Sequence, residues 1–263
     1  MELGPRAAAA GIDLTNCDTV ASTNAEALAR VRRGEAAPCW VTARGQTAGR
    51  GRRGRSWVSS PGNLYASLLL RDPAPPERAA QVSFVAALAV HDALLRLAPA
   101  LAPRLALKWP NDVLGDGGKL AGILIEGEGS KPMSVVIGIG INVRQHPADT
   151  EFPATDVAAM GAELTAETVF AALSDSMLDR LAQWSRGEGF VATRIDWLSR
   201  AAGLGGEVRV RLERAELIGR FADLDSSGRL LLAQADGSVV TVAAGDVFPL
   251  DSGPDATRAT GDR

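Results

Sequence analysis

The segment Ser134–Val143 alternates in a way that leaves a chain few choices. Ile137, Ile139, Ile141 and Val143 share one face of the strand it predicts, and Val136, Gly138, Gly140 and Asn142 share the other. The first face belongs in a core. The second lacks side chains at two positions, and since glycine weakens a strand, something must approach the backbone there. A ligand and a tightly packed helix both meet that demand, and Asn142 stands at the end of the bare face.

Leu120–Glu126 is a second apolar strand, and the polar, Gly-rich segment Gly127–Pro132 joins the two as a hairpin. Upstream, Ser22–Arg33 reads as a short amphipathic helix with Ser22 or Thr23 as N-cap, Glu26 in the first turn and Gly34 past its end. Cys39–Ala43 and Leu64–Leu70 read as strands. Phe84, Leu88 and Leu95 mark a helix closed by Pro99 and Pro103, and Thr165–Arg186 a longer one with Phe170, Leu173, Met177, Leu181 and Trp184 on a stripe. From Gly205 the pattern changes to short alternating strands with turns at Ser226-Ser227-Gly228 and Asp236-Gly237, which predicts a β module of about five strands of the SH3-like barrel type. The expected division is 1–203, 204–250 and a polar tail 251–263, read as disordered.

In a chain of 263 residues, 46% hydrophobic and 22% charged, that plan fits one large and one small globular domain. A formal net charge of −3 argues against a surface built throughout for nucleic acid, so any basic site must be local. Cys17, Cys39, His91 and His146 are too scattered for a zinc site or a disulfide framework, and no metal ligands are assigned. The N-terminus lacks the apolar stretch of a signal peptide. His91, Asp92 and Arg96 interrupt Val82–Ala98, so no membrane span is expected and the protein is placed in the cytoplasm.

The run Gly49-Arg50-Gly51-Arg52-Arg53-Gly54-Arg55 holds four arginines in seven residues. It contains GxGxxG, but a dinucleotide loop opens into a helix, and Ser56–Asn63 cannot be one. It is not a P-loop either. A flexible cationic loop remains, suited to bidentate contacts with phosphate and expected to order only around its anion. Trp57 offers a surface on which a base can stack. A solvated basic loop and a nucleic-acid contact are the alternatives. Farther on, Lys108-Trp109-Pro110-Asn111-Asp112 and Lys119–Glu126 add two lysines and an Asn-Asp turn, able with the loop to surround one polyanion, and carboxylates for Mg²⁺.

Taken in order, Ser22-Thr23-Asn24, Gln46 with the arginine run and Trp57, KWPND, KLAGILIE and GIGINV resemble the biotin protein ligases. The resemblance spans about the first 150 residues, and the β module is similar to that family's C-terminal domain. It implies an α/β (α+β) catalytic domain of the class II aminoacyl-tRNA synthetase type with a mixed, largely antiparallel sheet. It also implies that Ser22, Thr23, Asn24 and Gln46 bind biotin and that Arg50, Gly51 and Arg52 close over biotin and the adenylate. Arg55 would face the phosphates, Trp57 the adenine, and Lys119 the biotin carboxylate and α-phosphate. Gly122 and Asn142 would line the adenylate, Lys108, Asn111 and Asp112 lie on the nucleotide side, and Gly138 and Gly140 make room for ligand.

The implied reaction uses ATP with Mg²⁺ to form biotinyl-5′-AMP, then biotinylates a lysine of a biotin carboxyl carrier protein. Lys119 and Arg52 would compensate phosphate charge, and Asp112 would accept or orient protons of the acceptor amine. Bifunctional members carry an N-terminal DNA-binding domain; with Ser22-Thr23-Asn24 so early, a ligase without sequence-specific DNA binding is expected. A homodimer through a sheet edge is left open. A lipoate protein ligase, a nucleic-acid-binding module and an inactive carrier-binding protein are the competing functions.

Overall fold

The computed structural model describes residues 1–129, 132–148 and 150–250. The expected disordered tail lies outside them. The chain divides into two compact units, one of Met1–Ala202 with Ser226–Gly228, the other of Gly203–Asp225 with the residues from Arg229 on.

The first unit carries seven strands, β1 (Asp13–Val20), β2 (Cys39–Gln46), β3 (Leu64–Arg71), β4 (Leu105–Lys108), β5 (Asp112–Gly115), β6 (Gly118–Glu128) and β7 (Ser134–Ile141). They form one mixed sheet in the order β1-β2-β3-β7-β6-β5-β4. Only the β1–β2 pair is parallel. The helices are α1 (Pro5–Ala9), α2 (Thr23–Arg32), α3 (Val82–Leu97), α4 (Ala166–Trp184) and α5 (Phe190–Leu198). Several of these elements escaped the sequence reading, the short α1 among them. β1 is polar and half exposed, α5 is short, and β5 was absorbed into the Pro-Asn-Asp turn.

The two-residue period of the strands sorts the sheet's faces. Cys39, Val41, Leu69 and Val136 pack with Ala27 and Leu28 of α2 on one face. Trp40 points to the other, where its ring meets Phe170 of α4 edge-on at 5.4 Å. Both rings are fully buried, each contributing roughly 2–3 kcal/mol by leaving water. By length and composition alone, Pro76–Leu97 is apolar enough to cross a membrane, yet most of it is buried inside the protein, as a core helix is. Its apolar residues face α4 on one side and the sheet on the other, so a helix apolar all round marks the middle of this core.

Arg180 of α4 ties three helices together, donating to Asp92 of α3 at 2.6 Å and to Asp196 of α5 at 2.5 Å. Burial pushes the pKa of both carboxyls up, but hydrogen bonds, from His91 and Arg180 to Asp92 and from Gln183 and Arg180 to Asp196, outweigh it and hold both below the ordinary value.

The second unit is an antiparallel sheet of β8 (Glu207–Arg211), β9 (Glu216–Leu224), β10 (Leu230–Ala233), β11 (Val239–Val242) and β12 (Asp246–Pro249), in the order β11-β10-β9-β8-β12. Val208, Val210, Phe221, Leu224, Leu230, Leu232, Val242 and Val247 form its buried side. The five strands match the expectation; the barrel does not, because no ladder closes β11 onto β12 among the described residues. Only Ala243–Gly245 connect these two edges. Four steps of extended chain span at most about 14 Å, whereas a flat sheet of five strands would set its edges roughly 19 Å apart. The sheet must curl strongly, yet it stays open.

Arg180→Met is expected to lower stability at pH 7 by about 3 kcal/mol, read from the urea midpoint, because it leaves two half-buried carboxylates with only the more distant Arg200 as cation. Carboxyls with depressed pKa stabilise the fold above their unfolded value of about 4 and lose that contribution as pH falls through the folded one. Wild type and variant should therefore converge in stability in acid.

Candidate active site

Register places Gly122 of β6 directly opposite Gly140 of β7, and Leu124 opposite Gly138. Ser67 and Tyr65 of β3 lie across from Gly138 and Gly140 on the other side. This bare face is occupied by two side chains. A Cβ on Gly138 would lie 2.2 Å from Oδ1 of Asn24, so here the packed helix, α2, is what comes close. A Cβ on Gly140 would lie 2.6 Å from the indole of Trp57, and one on Gly122 would lie 2.9 Å from it. The glycine floor thus admits the residues expected to bind biotin and adenine.

Ser22 caps α2 by accepting from the Ala25 amide, and this cap sets down the two residues that follow. Gln46 Oε1 accepts from the Thr23 amide at 2.9 Å and from its hydroxyl at 3.3 Å. The buried Ser67 hydroxyl bonds both Thr23 Oγ1, at 2.7 Å, and Asn24 Oδ1, at 2.6 Å. Asn24 Nδ2 donates to Glu126 Oε2 at 2.8 Å. Ser67 and Glu126 were not among the expected site residues. Tyr65, on the same face, is buried and donates to the Ser60 carbonyl; burial pushes its pKa up to about 12, so it stays a neutral phenol.

The arginine run forms a small hairpin. Arg50 bridges Ser56, the Gly51 amide donates to the Arg55 carbonyl at 2.7 Å, and the Trp57 amide donates to the Gly49 carbonyl at 2.9 Å. Arg53 and Gly54 turn its tip with φ of 55° and 73°. Arg50 pairs with Glu126 at 3.1 Å, Arg52 donates to Asn111 Oδ1 at 2.8 Å, and Arg55 donates back to the Arg52 carbonyl. Its side-chain acceptors Glu126 and Asn111 come from distant parts of the chain.

Lys119 reaches the site through an irregularity. Asp112 pairs with Gly122 and Leu114 with Lys119, but Val113 pairs with Ala121, so Leu120 is an extra residue in β6. Without that bulge, Lys119 and Gly122 would project from opposite faces; with it, both share the face of Asp112. Lys119 Nζ lies 2.7 Å from Asp112 Oδ1 and 5.5 Å from the Trp57 ring centre. The bulged backbone is held by the segment beyond β7. The Lys119 amide donates to the Pro153 carbonyl, and the Thr155 amide to the Lys119 carbonyl. Asn142, buried, donates to the Thr155 carbonyl at 3.0 Å and to that of Lys119 at 3.4 Å. Asn111 is fixed by exchange with the Ile123 backbone, and Lys108 lies over the Phe152 ring at 4.9 Å.

The structure therefore brings Ser22, Thr23, Asn24 and Gln46 together at one end of the bare face, and Trp57, Asp112, Lys119 and Gly122 at the other. The arginine hairpin touches both ends, through Glu126 and Asn111. Cations, an aromatic plane and a floor without side chains suit an anionic nucleotide beside a second ligand.

The class is a ligase: residues 19–142 match the biotin/lipoate A/B protein ligase family, and residues 203–248 match the biotin protein ligase C-terminal domain. The chain is 46% identical over 237 residues to the biotin–[acetyl-CoA-carboxylase] ligase of Paracoccus denitrificans, covering 86% of this chain and 96% of that one. It is 37% identical over 249 residues to the ligase of the same name from Mycobacterium tuberculosis, covering 92% and 91%. Its structure resembles that of the biotin protein ligase from Aquifex aeolicus in complex with biotin and ATP, with a TM-score of 0.75, 29% identity, and coverage of 90% and 97%. The chain belongs to the biotin protein ligase family.

Gly140→Ala is expected to lift Trp57 from the sheet, whereas Gly138→Ala displaces Asn24 and leaves the indole in place. Acrylamide quenching of the emission lost on Trp57→Phe should rise in the first variant and not in the second.

Proposed function

We propose that the chain activates biotin with ATP as biotinyl-5′-AMP and then transfers biotin to a lysine of a biotin carboxyl carrier protein. The observation that carries this reading is the bulge that sets Lys119 beside Asp112 and over Trp57, at the end of a cleft whose other end is built by Thr23, Asn24 and Gln46. In the first step the biotin carboxylate attacks the α-phosphorus and pyrophosphate leaves. Lys119 and Arg52 offset the charge that gathers on the phosphate oxygens, and the aligned ends of the cleft hold the reacting atoms together. In the second step the acceptor amine attacks the anhydride carbonyl and adenylate leaves. Asp112, already holding the Lys119 ammonium, is the carboxylate at hand to receive the amine's proton.

Among the described residues no three His, Cys, Asp or Glu side chains group to hold a metal. Mg²⁺ would enter with ATP and shield its phosphates. The C-terminal domain match favours biotin over lipoate. The pairing of Arg50 with Glu126 and of Arg52 with Asn111 turns the hairpin into the cleft, which favours a nucleotide lid over a nucleic-acid contact. We place the reaction in the cytoplasm, where ATP and the carrier meet. A homodimer would pair through β1: the opposite edge, β4, already bridges Ala201 through Leu107.

Biotin-dependent, lipoate-independent exchange of pyrophosphate into ATP is the expected result, and no exchange with biotin would overturn the reading. Lys119→Met should lower the exchange kcat by about 10²–10³-fold, the effect of losing one charge-stabilising group. Arg52→Gly removes the bond to Asn111 and should let biotinyl-AMP escape, so that bulk protein lysines become biotinylated on incubation with biotin and ATP. Labelling no greater than that of wild type would mean that the hairpin does not retain the intermediate.

A further inference from the structure

Glu126 ends the KLAGILIE segment, and the reaction as derived gives it nothing to do. A glutamate near the end of a strand is ordinarily solvated. This one is not. Register sets it on the same face as Gly122 and Leu124, opposite Val136. Its carboxylate is shared by two residues from different parts of the cleft. Oε2 accepts from Asn24 Nδ2 at 2.8 Å, and Arg50 Nη2 lies 3.1 Å from Oε1 and 3.3 Å from Oε2.

The bond to Asn24, with a longer one at 3.4 Å from Nδ2 to the Leu124 carbonyl, fixes how that amide is turned. Asn24 is 3% exposed, and its two ends differ, one donating and one accepting. A carboxylate can only accept, so it draws Nδ2 toward itself and leaves Oδ1 to the Ser67 hydroxyl. The ion pair with Arg50 decides something else. Arg50 opens the hairpin and Arg52 follows it, so one end of the lid rests on Glu126 and the other on Asn111.

We propose that Glu126 is a positioning residue that couples the two: it sets the orientation of Asn24 in the biotin end of the cleft and anchors the arginine hairpin over it through Arg50. This rests on the ligase reading above. The two contacts make separable demands. The Asn24 contact needs an acceptor at this position, which an amide can still supply. The Arg50 contact needs the negative charge.

The test uses the full chain with ATP, Mg²⁺ and biotin, and compares wild type, Glu126→Gln, Glu126→Ala and Arg50→Ala. Two quantities are measured, KM for biotin in pyrophosphate exchange and the rate at which preformed biotinyl-AMP leaves the protein. Glu126→Ala should raise KM for biotin about tenfold and speed release of the intermediate by a similar factor. Glu126→Gln should restore KM to within about threefold of wild type and still release the intermediate as fast as Arg50→Ala. Adding Arg50→Ala to Glu126→Gln should then cause no further increase in release, since both remove the same ion pair. A purely structural glutamate would lower the unfolding midpoint without splitting KM from release. Glu126→Gln with wild-type release, in a wild type that exchanges, overturns the coupling role alone. A wild type inactive with biotin overturns the ligase reading and this inference with it.

Discussion

A strand lends a given face only every second side chain, and the whole site is composed on one face of β6 and β7. Everything that belongs there must match in parity or be brought round by an irregularity. Gly122, Glu126, Gly138, Gly140 and Asn142 match it, and Lys119 is brought round by the single extra residue at Leu120. The bulge exposes backbone that the ladder no longer uses, and the Pro153–Thr155 segment bonds to it, steadied in turn by Asn142. One inserted residue thus sets the direction of the lysine, the path of the following loop and the employment of a buried asparagine.

The bare floor serves the same end by a different physical route. Helix α2 and the arginine hairpin are both bulky, and a sheet with ordinary side chains would hold them off. Removing Cβ atoms at three positions lets Asn24 and Trp57 sit on the backbone itself. The two are then fixed by partners on other strands, Asn24 by Ser67 and Glu126, and the hairpin that carries Trp57 by Glu126 and Asn111. Thr23, Asn24 and Ser67, buried and hydrogen-bonded to one another and to Gln46 and Glu126, hold one geometry rather than an ensemble.

Much of this was legible in the sequence, because it rests on local pattern. The alternation around Gly138 and Gly140 announced a close approach, the capping residues announced α2, and the change of period after Gly205 announced a second module. What could not be read depends on distant register. The face of Lys119 is fixed by a bulge that no count along β6 reveals, and strict parity would have placed it on the wrong side. Ser67 is hidden in the apolar run Leu64–Leu70, where a lone hydroxyl gives no sign of its partners. The order of the arginine hairpin depends on Glu126 and Asn111, far away in the chain. The barrel expected of the C-terminal strands failed for a related reason: five alternating strands do not say whether the first edge meets the last.

Two cations of the cleft come with carboxylates already in place, Asp112 beside Lys119 and Glu126 beside Arg50. At these two positions an entering carboxylate or phosphate exchanges one anionic neighbour for another. Long-range attraction is weak in such an arrangement, since each pair looks nearly neutral from beyond a Debye length. At these cations selection falls to short-range fit: which anion can take a cation from a partner that already holds it.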